Sequence, residues 1–219
     1  MESADRIRKI AAAGVFSALV IVLGVTGLGF IRLPLGALTI LQVPVIIGAI
    51  LEGPLVGIFI GLLFGIFSIV QAAVAGVSPV DLAFLYHPWL AILPRVLIGP
   101  AAWFVYSLGS GKFFRGKTGA QADTGDGIDK TRWLRETVAV IAGAAAGSLV
   151  NTVLVLSAFV LLDFFPWGVV LSLALLNGSV EAGFSSALSL AVILSWKGIS
   201  RRTGSKLTGG GPRGKEKKE

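Results

Sequence analysis

Gln42, Gln71, Arg95, Asn151, Asn177 and Glu181 are strongly polar side chains set within long apolar stretches of this sequence. Arg95, in WLAILPRVLIG (residues 89–99), is the most telling of them. A cation near the centre of a membrane helix costs about 2.5–3.5 kcal/mol on insertion scales, so it needs a partner or a task. Its planar guanidinium matches a carboxylate through two parallel hydrogen bonds. Two readings stand side by side. In one, Arg95 and Glu181 form a buried ion pair and the asparagines tie helices together. In the other, the polar groups line a small-ligand pocket open to the outside, with aromatic walls from Tyr86, Trp89 and Trp167. The two coexist if Glu181 orients Arg95 for a ligand carboxylate. His87, the sole histidine, stands before Pro88 at a span entrance and reads as a lip residue. A metal site needs several converging ligands, and none cluster with it.

Enzymatic chemistry finds no support in these residues. There is no Ser-His-Asp set, no paired aspartates and no HExxH motif, so no catalytic residue, cofactor or metal is expected. GKFFRGKT (residues 111–118) does satisfy the phosphate-loop pattern. A working phosphate loop needs a buried strand before it and a helix directly after it. Here a membrane span precedes it and GAQADTG follows, so the match reads as accidental. The chain shows no energy source of its own.

The elements that would position these groups follow from composition. Of 219 residues, 54% are apolar and 14% charged, against about 25% charged in ordinary soluble domains. Runs of about 20 apolar residues recur without alternation, which specifies a polytopic helical membrane protein rather than a β-barrel. We read six spans, at about 9–29, 38–52, 55–76, 83–108, 136–162 and 169–196, making one membrane domain over 1–197. Pro34 and Pro44 make the second span a kinked or partial helix. Apart from Arg32 and Arg95, every Lys and Arg lies in the first nine residues, in 112–135 or from 197 onward. With six spans these basic segments share one side, so the positive-inside rule places both termini in the cytoplasm. The same rule accounts for the net charge of +7, and no nucleic-acid partner is needed. The N-terminal apolar run lacks a small-residue cleavage site and reads as an uncleaved first span. The polar loop 111–135 reads as linker and the basic tail 198–219 as disordered. Cysteine is absent.

Counting inward from the expected span starts puts Arg95, Asn177 and Glu181 about 12–18 Å deep, with Asn151 near the middle of the fifth span. Asn177 and Glu181, four residues apart, share a helical face. Small residues recur at the same spacing in Gly14/Ala18, Gly57/Gly61/Gly65 and Gly143/Gly147, which lets helix backbones approach closely. For the third and fifth spans internal packing is the expected reading. Gly14 and Ala18 could equally face a partner membrane protein.

Five fragments in order, on a six-span frame of this size, resemble a known family. They are RKIAAAGVFSAL (8–19), QVPVIIGAILEGPLVG (42–57), LPRVLIG (93–99), NTVLVL (151–156) and NGSVEA (177–182). The chain is similar to the substrate-binding S components of energy-coupling factor (ECF) vitamin transporters. The resemblance implies an all-α, six-helix S-component bundle in a prokaryotic cell membrane, with a vitamin site near the outer surface gated by the loops after the first and third spans. It implies docking, through Gly14 and Ala18, on an ECF transmembrane subunit with two ABC-type ATPase subunits, which would supply the missing ATP hydrolysis. Candidate substrate-binding residues are Arg95, Asn151, Asn177, Glu181, Trp89, Tyr86, His87 and Gln71. LPRVLIG most resembles the pantothenate- and folate-type branch, and an arginine fork suits their carboxylates. Pantothenate is the expected ligand, with folate, riboflavin or another vitamin as alternatives. A self-sufficient secondary transporter and a structural assembly protein are the rivals from other classes.

Overall fold

Proline and glycine punctuate this fold. The computed structural model describes residues 2–33, 36–75, 79–111 and 130–208. Helix α1 (Glu2–Val25) leads into a hairpin of β1 (Phe30–Leu33) and β2 (Gly36–Thr39). There follow α2 (Gln42–Glu52), α3 (Pro54–Ala75), α4 (Pro79–Tyr86), α5 (Pro88–Ser110), α6 (Lys130–Leu161) and α7 (Trp167–Thr208). Proline opens α3, α4 and α5, where its missing N–H is not needed and its fixed φ suits a helix. Gly53 makes the turn from α2 to α3 at φ 107°, a conformation in which a β-carbon would be strained.

Five helices have the length and hydropathy to cross a bilayer: Arg6–Val25, Pro54–Val74, Pro88–Ser110, Trp133–Leu161 and Trp167–Trp196. The segment expected to be a second span, 38–52, is instead the end of β2 followed by an 11-residue helix. At a rise of 1.5 Å per residue α2 measures about 16 Å, well short of a hydrocarbon core of about 30 Å. It is buried from Gln42 to Ile50 and touches α1, α3, α5, α6 and α7. A helix apolar on all sides belongs in a core, and α2 is the peg around which the bundle closes. Pro44 falls in its first turn, where no interior hydrogen bond is lost.

Three other boundaries differ from the sequence reading. The hairpin is the exception to an all-helical chain among the described residues; its antiparallel register runs from Phe30↔Thr39 to Leu33↔Gly36. The expected fourth span, 83–108, is two helices broken at His87 (φ −130°, ψ 76°), because a residue before proline is driven out of the helical region. Arg95 therefore lies about 10 Å along α5, rather than 18 Å along a longer helix. Helix α7 runs on to Thr208, into the segment expected to be tail; residues 112–129 and 209–219 lie outside the described residues.

Backbone contact through glycine sets the spacing of α3, α5 and α6. A β-carbon at Gly57 would meet the Gly99 Cα at 2.8 Å, and one at Gly65 the Ile92 Cα at 2.9 Å. One at Gly61 would collide with the carbonyl oxygen of Arg95. Across α5, β-carbons at Gly143 and Gly147 would press on the carbonyls of Ala102 and Ile98 at 2.8 and 3.1 Å. These two glycine rows thus serve internal packing. Gly14, by contrast, has nothing within 4 Å, and Ala18 is exposed beside it. Large apolar side chains such as Leu19, Leu62, Leu97, Leu149 and Leu171 cover the outside, the arrangement a lipid solvent requires.

Candidate functional site

Four elements send polar side chains into the interior just beneath the hairpin. From α6 come Ser148, Asn151 and Thr152, at i, i+3 and i+4 on one face; from α7 come Glu181 and Ser185, also four apart. Gln42 enters from the first turn of α2, and Thr39 from the end of β2. The Gln42 amide donates to Ser148 Oγ at 3.1 Å and to Ser185 Oγ at 2.8 Å, tying α2 to α6 and α7 at once. The Glu181 carboxylate accepts from the Thr39 backbone N–H at 2.9 Å, the Thr39 hydroxyl at 3.1 Å and the Thr152 hydroxyl at 3.3 Å.

Arg95 stands on the α5 side, 5% exposed. Its Nη1 donates to the Leu90 carbonyl at 2.9 Å. Its guanidinium lies over the rings of Phe84 (4.7 Å to the centroid) and Phe64 (5.6 Å). Aromatic faces compensate a desolvated cation in part. Arg95 and Glu181 make no ion pair within 4.0 Å; an ion pair does join Arg8 to Glu52, at 3.2 Å, between α1 and the end of α2. The ion pair of the first reading is not formed: each side chain has its own neutral partners.

Three buried polar atoms of the cluster have no partner: Arg95 Nε, Gln42 Oε1 and Asn151 Oδ1. A buried polar atom without a partner costs about 1–3 kcal/mol, so native structures seldom leave several together unless something else fills them. The set is one cationic donor and two carbonyl acceptors.

The other expected site residues are not among these buried groups. Tyr86 is 74% exposed and Trp89 and Trp167 are also exposed, so they do not wall it. His87 packs edge-on against Trp89 and Phe164, with centroids 6.5 and 6.4 Å apart. From Phe164 the ring contacts continue through Phe159 to Phe84, joining the rim to the ring beneath Arg95. Gln71 sits two turns beyond Phe64 on α3, its amide nitrogen 4.0 Å from where a β-carbon of Gly27 would be. Asn177 is half-buried, one turn before Glu181. Sequence reading missed Thr39, Thr152, Ser148 and Ser185, and noted Gln42 only as polar. The i, i+3, i+4 grouping around Asn151 was the available signal. Among the described residues no three His, Cys, Asp or Glu side chains gather as a metal site would need.

Five membrane-length apolar helices with large apolar side chains on the outside define a multi-pass membrane protein. Residues 8–193 match the family model described as "ECF transporter, substrate-specific component". The chain is also 32% identical over 171 residues, covering 72% of its own length and 73% of the other, to the Pantothenic acid transporter PanT of Lactococcus lactis subsp. cremoris (strain MG1363). It belongs to the family of substrate-specific components of ECF transporters. It is therefore a transport subunit and not an enzyme.

Proposed function

We propose that this chain binds pantothenate in the outer half of a prokaryotic cell membrane and delivers it to an ECF-type importer. The observation that carries this reading is the partnerless trio of Arg95 Nε, Gln42 Oε1 and Asn151 Oδ1. Pantothenate carries a carboxylate for the guanidinium and hydroxyl and amide N–H groups for the two carbonyl oxygens. Riboflavin has no carboxylate, and folate adds a second one and a flat ring system for which this cluster offers no further cation. The relative named for pantothenic acid supports the same choice. Asn177 extends the site toward the surface, and Gln71, Tyr86, His87 and Trp89 form its approach. Glu181 already has both oxygens engaged by Thr39 and Thr152.

The finer topology belongs to this proposal. The hairpin and α2 together complete a sixth crossing, which puts both basic termini and the 111–135 loop in the cytoplasm. Gly14 and Ala18, outward-facing on a helix little covered by its neighbours, are the docking face for the ECF transmembrane subunit, and two ABC-type ATPase subunits hydrolyse the ATP. Calorimetry on the purified chain tests the central claim. Pantothenate should bind one to one, folate and riboflavin should give no heat, and Arg95→Ala should abolish binding while the protein still folds. Absence of pantothenate binding, or unchanged affinity in Arg95→Ala, refutes the ligand or the site respectively.

A further inference from the structure

We propose that the groove between the end of α5 and the start of α6 holds one anionic phospholipid, with an acyl chain along the groove and the phosphate on Arg135. This stands independently of the polar cluster and its ligand. The two helices meet here at small residues. A β-carbon at Gly109 would lie 3.0 Å from the Ala139 Cβ and 3.2 Å from its Cα, so the backbones come close and the larger side chains stand to either side. Val105 and Leu108 of α5 and Leu134 and Val138 of α6 line a groove of about 510 Å³, with Ala139 and Ala142 between them. Small-molecule sites span about 300–1,000 Å³. The groove opens on the outside of the bundle, where Leu108, Leu134 and Val138 are exposed. Both helices are long and apolar enough to cross a bilayer. An apolar groove in that position meets acyl chains rather than water.

Charge decides which lipid. Arg135 is the charged residue of this lining. Its Nε donates to the Gly109 carbonyl at 2.9 Å, one of the acceptors that the end of α5 leaves over. Its Nη2 lies beside Gly111, 2.7 Å from where a β-carbon there would be. The guanidinium is thus fixed at one end of the groove by a helix C-terminus, which favours a cation. The Gly109 bond takes one of five guanidinium N–H donors, and the planar fork of the others matches a phosphate. KTRWLRE (130–136) sets three cations against one acid. Trp133, 52% exposed, is of the type that settles at headgroup level. An apolar groove with a cation at its end suits a phospholipid of net negative charge, and basic pockets between membrane helices take such headgroups. A zwitterionic headgroup would set its own cation near Arg135.

The test takes the purified full-length chain, stripped of lipid in detergent, to native mass spectrometry and thermal unfolding. The probes are phosphatidylglycerol, phosphatidylcholine with the same acyl chains, and glycerol phosphate. One phosphatidylglycerol should be retained per chain, at least about 5-fold more tightly than phosphatidylcholine, the gain expected of one cation at headgroup level. It should also raise the melting temperature. Arg135→Gln, which keeps an amide for the Gly109 carbonyl, should erase the preference between headgroups. Ala142→Phe, which fills the groove and keeps the charge, should weaken retention of both lipids. Equal retention of the two lipids by the wild-type chain overturns the site, as does a preference that survives both substitutions. Glycerol phosphate competing as well as the lipid makes this a phosphate site and overturns the acyl groove. No retained lipid overturns it too; if retention then appears once residues 112–129 are replaced by a glycine-serine linker, the chain's own loop is the occupant.

Discussion

Arg95 Nη1 donates to the carbonyl of Leu90, which is the carbonyl that Pro94 leaves unclaimed. In an α-helix the N–H of residue 94 would bond to the carbonyl of residue 90, and proline has no N–H to give. Helical side chains point back toward the N-terminus, so the guanidinium of the very next residue falls on the open acceptor. Two features that each look like defects, a proline within a membrane helix and a buried cation, supply one another. The bond occupies Nη1 and leaves Nε without a partner, which fixes the direction in which the cation faces.

Arg95→Lys should fail to replace arginine although it keeps the charge. An ammonium has no planar fork and no second nitrogen to stay on Leu90. Pantothenate affinity should fall by about 100-fold or more, a loss in line with charge-assisted hydrogen bonds. In Pro94→Ala the restored amide competes for the Leu90 carbonyl, loosening Arg95; affinity should drop about 3–10-fold without a lower melting temperature. Calorimetry and thermal unfolding in the same detergent read both, and wild-type affinity in Arg95→Lys would refute the fork.

Two small-residue positions should respond oppositely to enlargement. Gly61→Ala drives a methyl group into the backbone of α5 at Arg95, and overpacking of this kind costs about 1–3 kcal/mol. Its melting temperature and its ligand affinity should fall together. Gly14→Leu meets open space and should leave both unchanged while weakening co-purification with the ECF transmembrane subunit. A Gly14→Leu protein that assembles like wild type removes that face from the docking surface.

The Arg8–Glu52 pair, with the arginine side chain 64% exposed, should couple α1 to α2 only weakly. A double-mutant cycle on thermal stability should give less than about 1 kcal/mol, diminishing as salt is raised. A larger, salt-insensitive coupling would mean that this end of α1 is more enclosed than the isolated chain shows.

Lys117→Ala should change nothing. The phosphate-loop pattern at 111–118 follows a membrane-length helix, α5, where such loops need a strand. Nucleotide binding by the purified chain should be undetectable before and after the substitution, and a signal lost on Lys117→Ala would overturn the reading.

Much of the fold was legible because membrane helices announce themselves by length and hydropathy. Arg95 and Glu181 were legible because charge in such stretches is rare. Serine and threonine were not. Ser68, Ser172 and Ser195 bond back to their own helices four residues earlier, a local solution open to any of them. Their residue type does not separate these from Ser148, Thr152 and Ser185, which meet Gln42 or Glu181 from other helices; for Ser148 and Thr152 only their spacing from Asn151 does. Thr39 was hidden for another reason. Its strand pairs across a stretch with the proline and glycine of a loop, and the register that turns it toward Glu181 is a tertiary outcome. The break at His87 could have been read from Pro88, since the preceding residue rarely stays helical. The apolar residues on both sides concealed it.

The glycine row of α3 carries a mechanical meaning as well. Gly61 lies against the peptide carbonyl of Arg95 itself, so the cation is mounted where two backbones touch and neither can slide without a clash. The hairpin opposite hangs from a few hydrogen bonds and one ring contact. The charge is thus mounted on the stiffest junction of the bundle, while the hairpin is joined to it by far less.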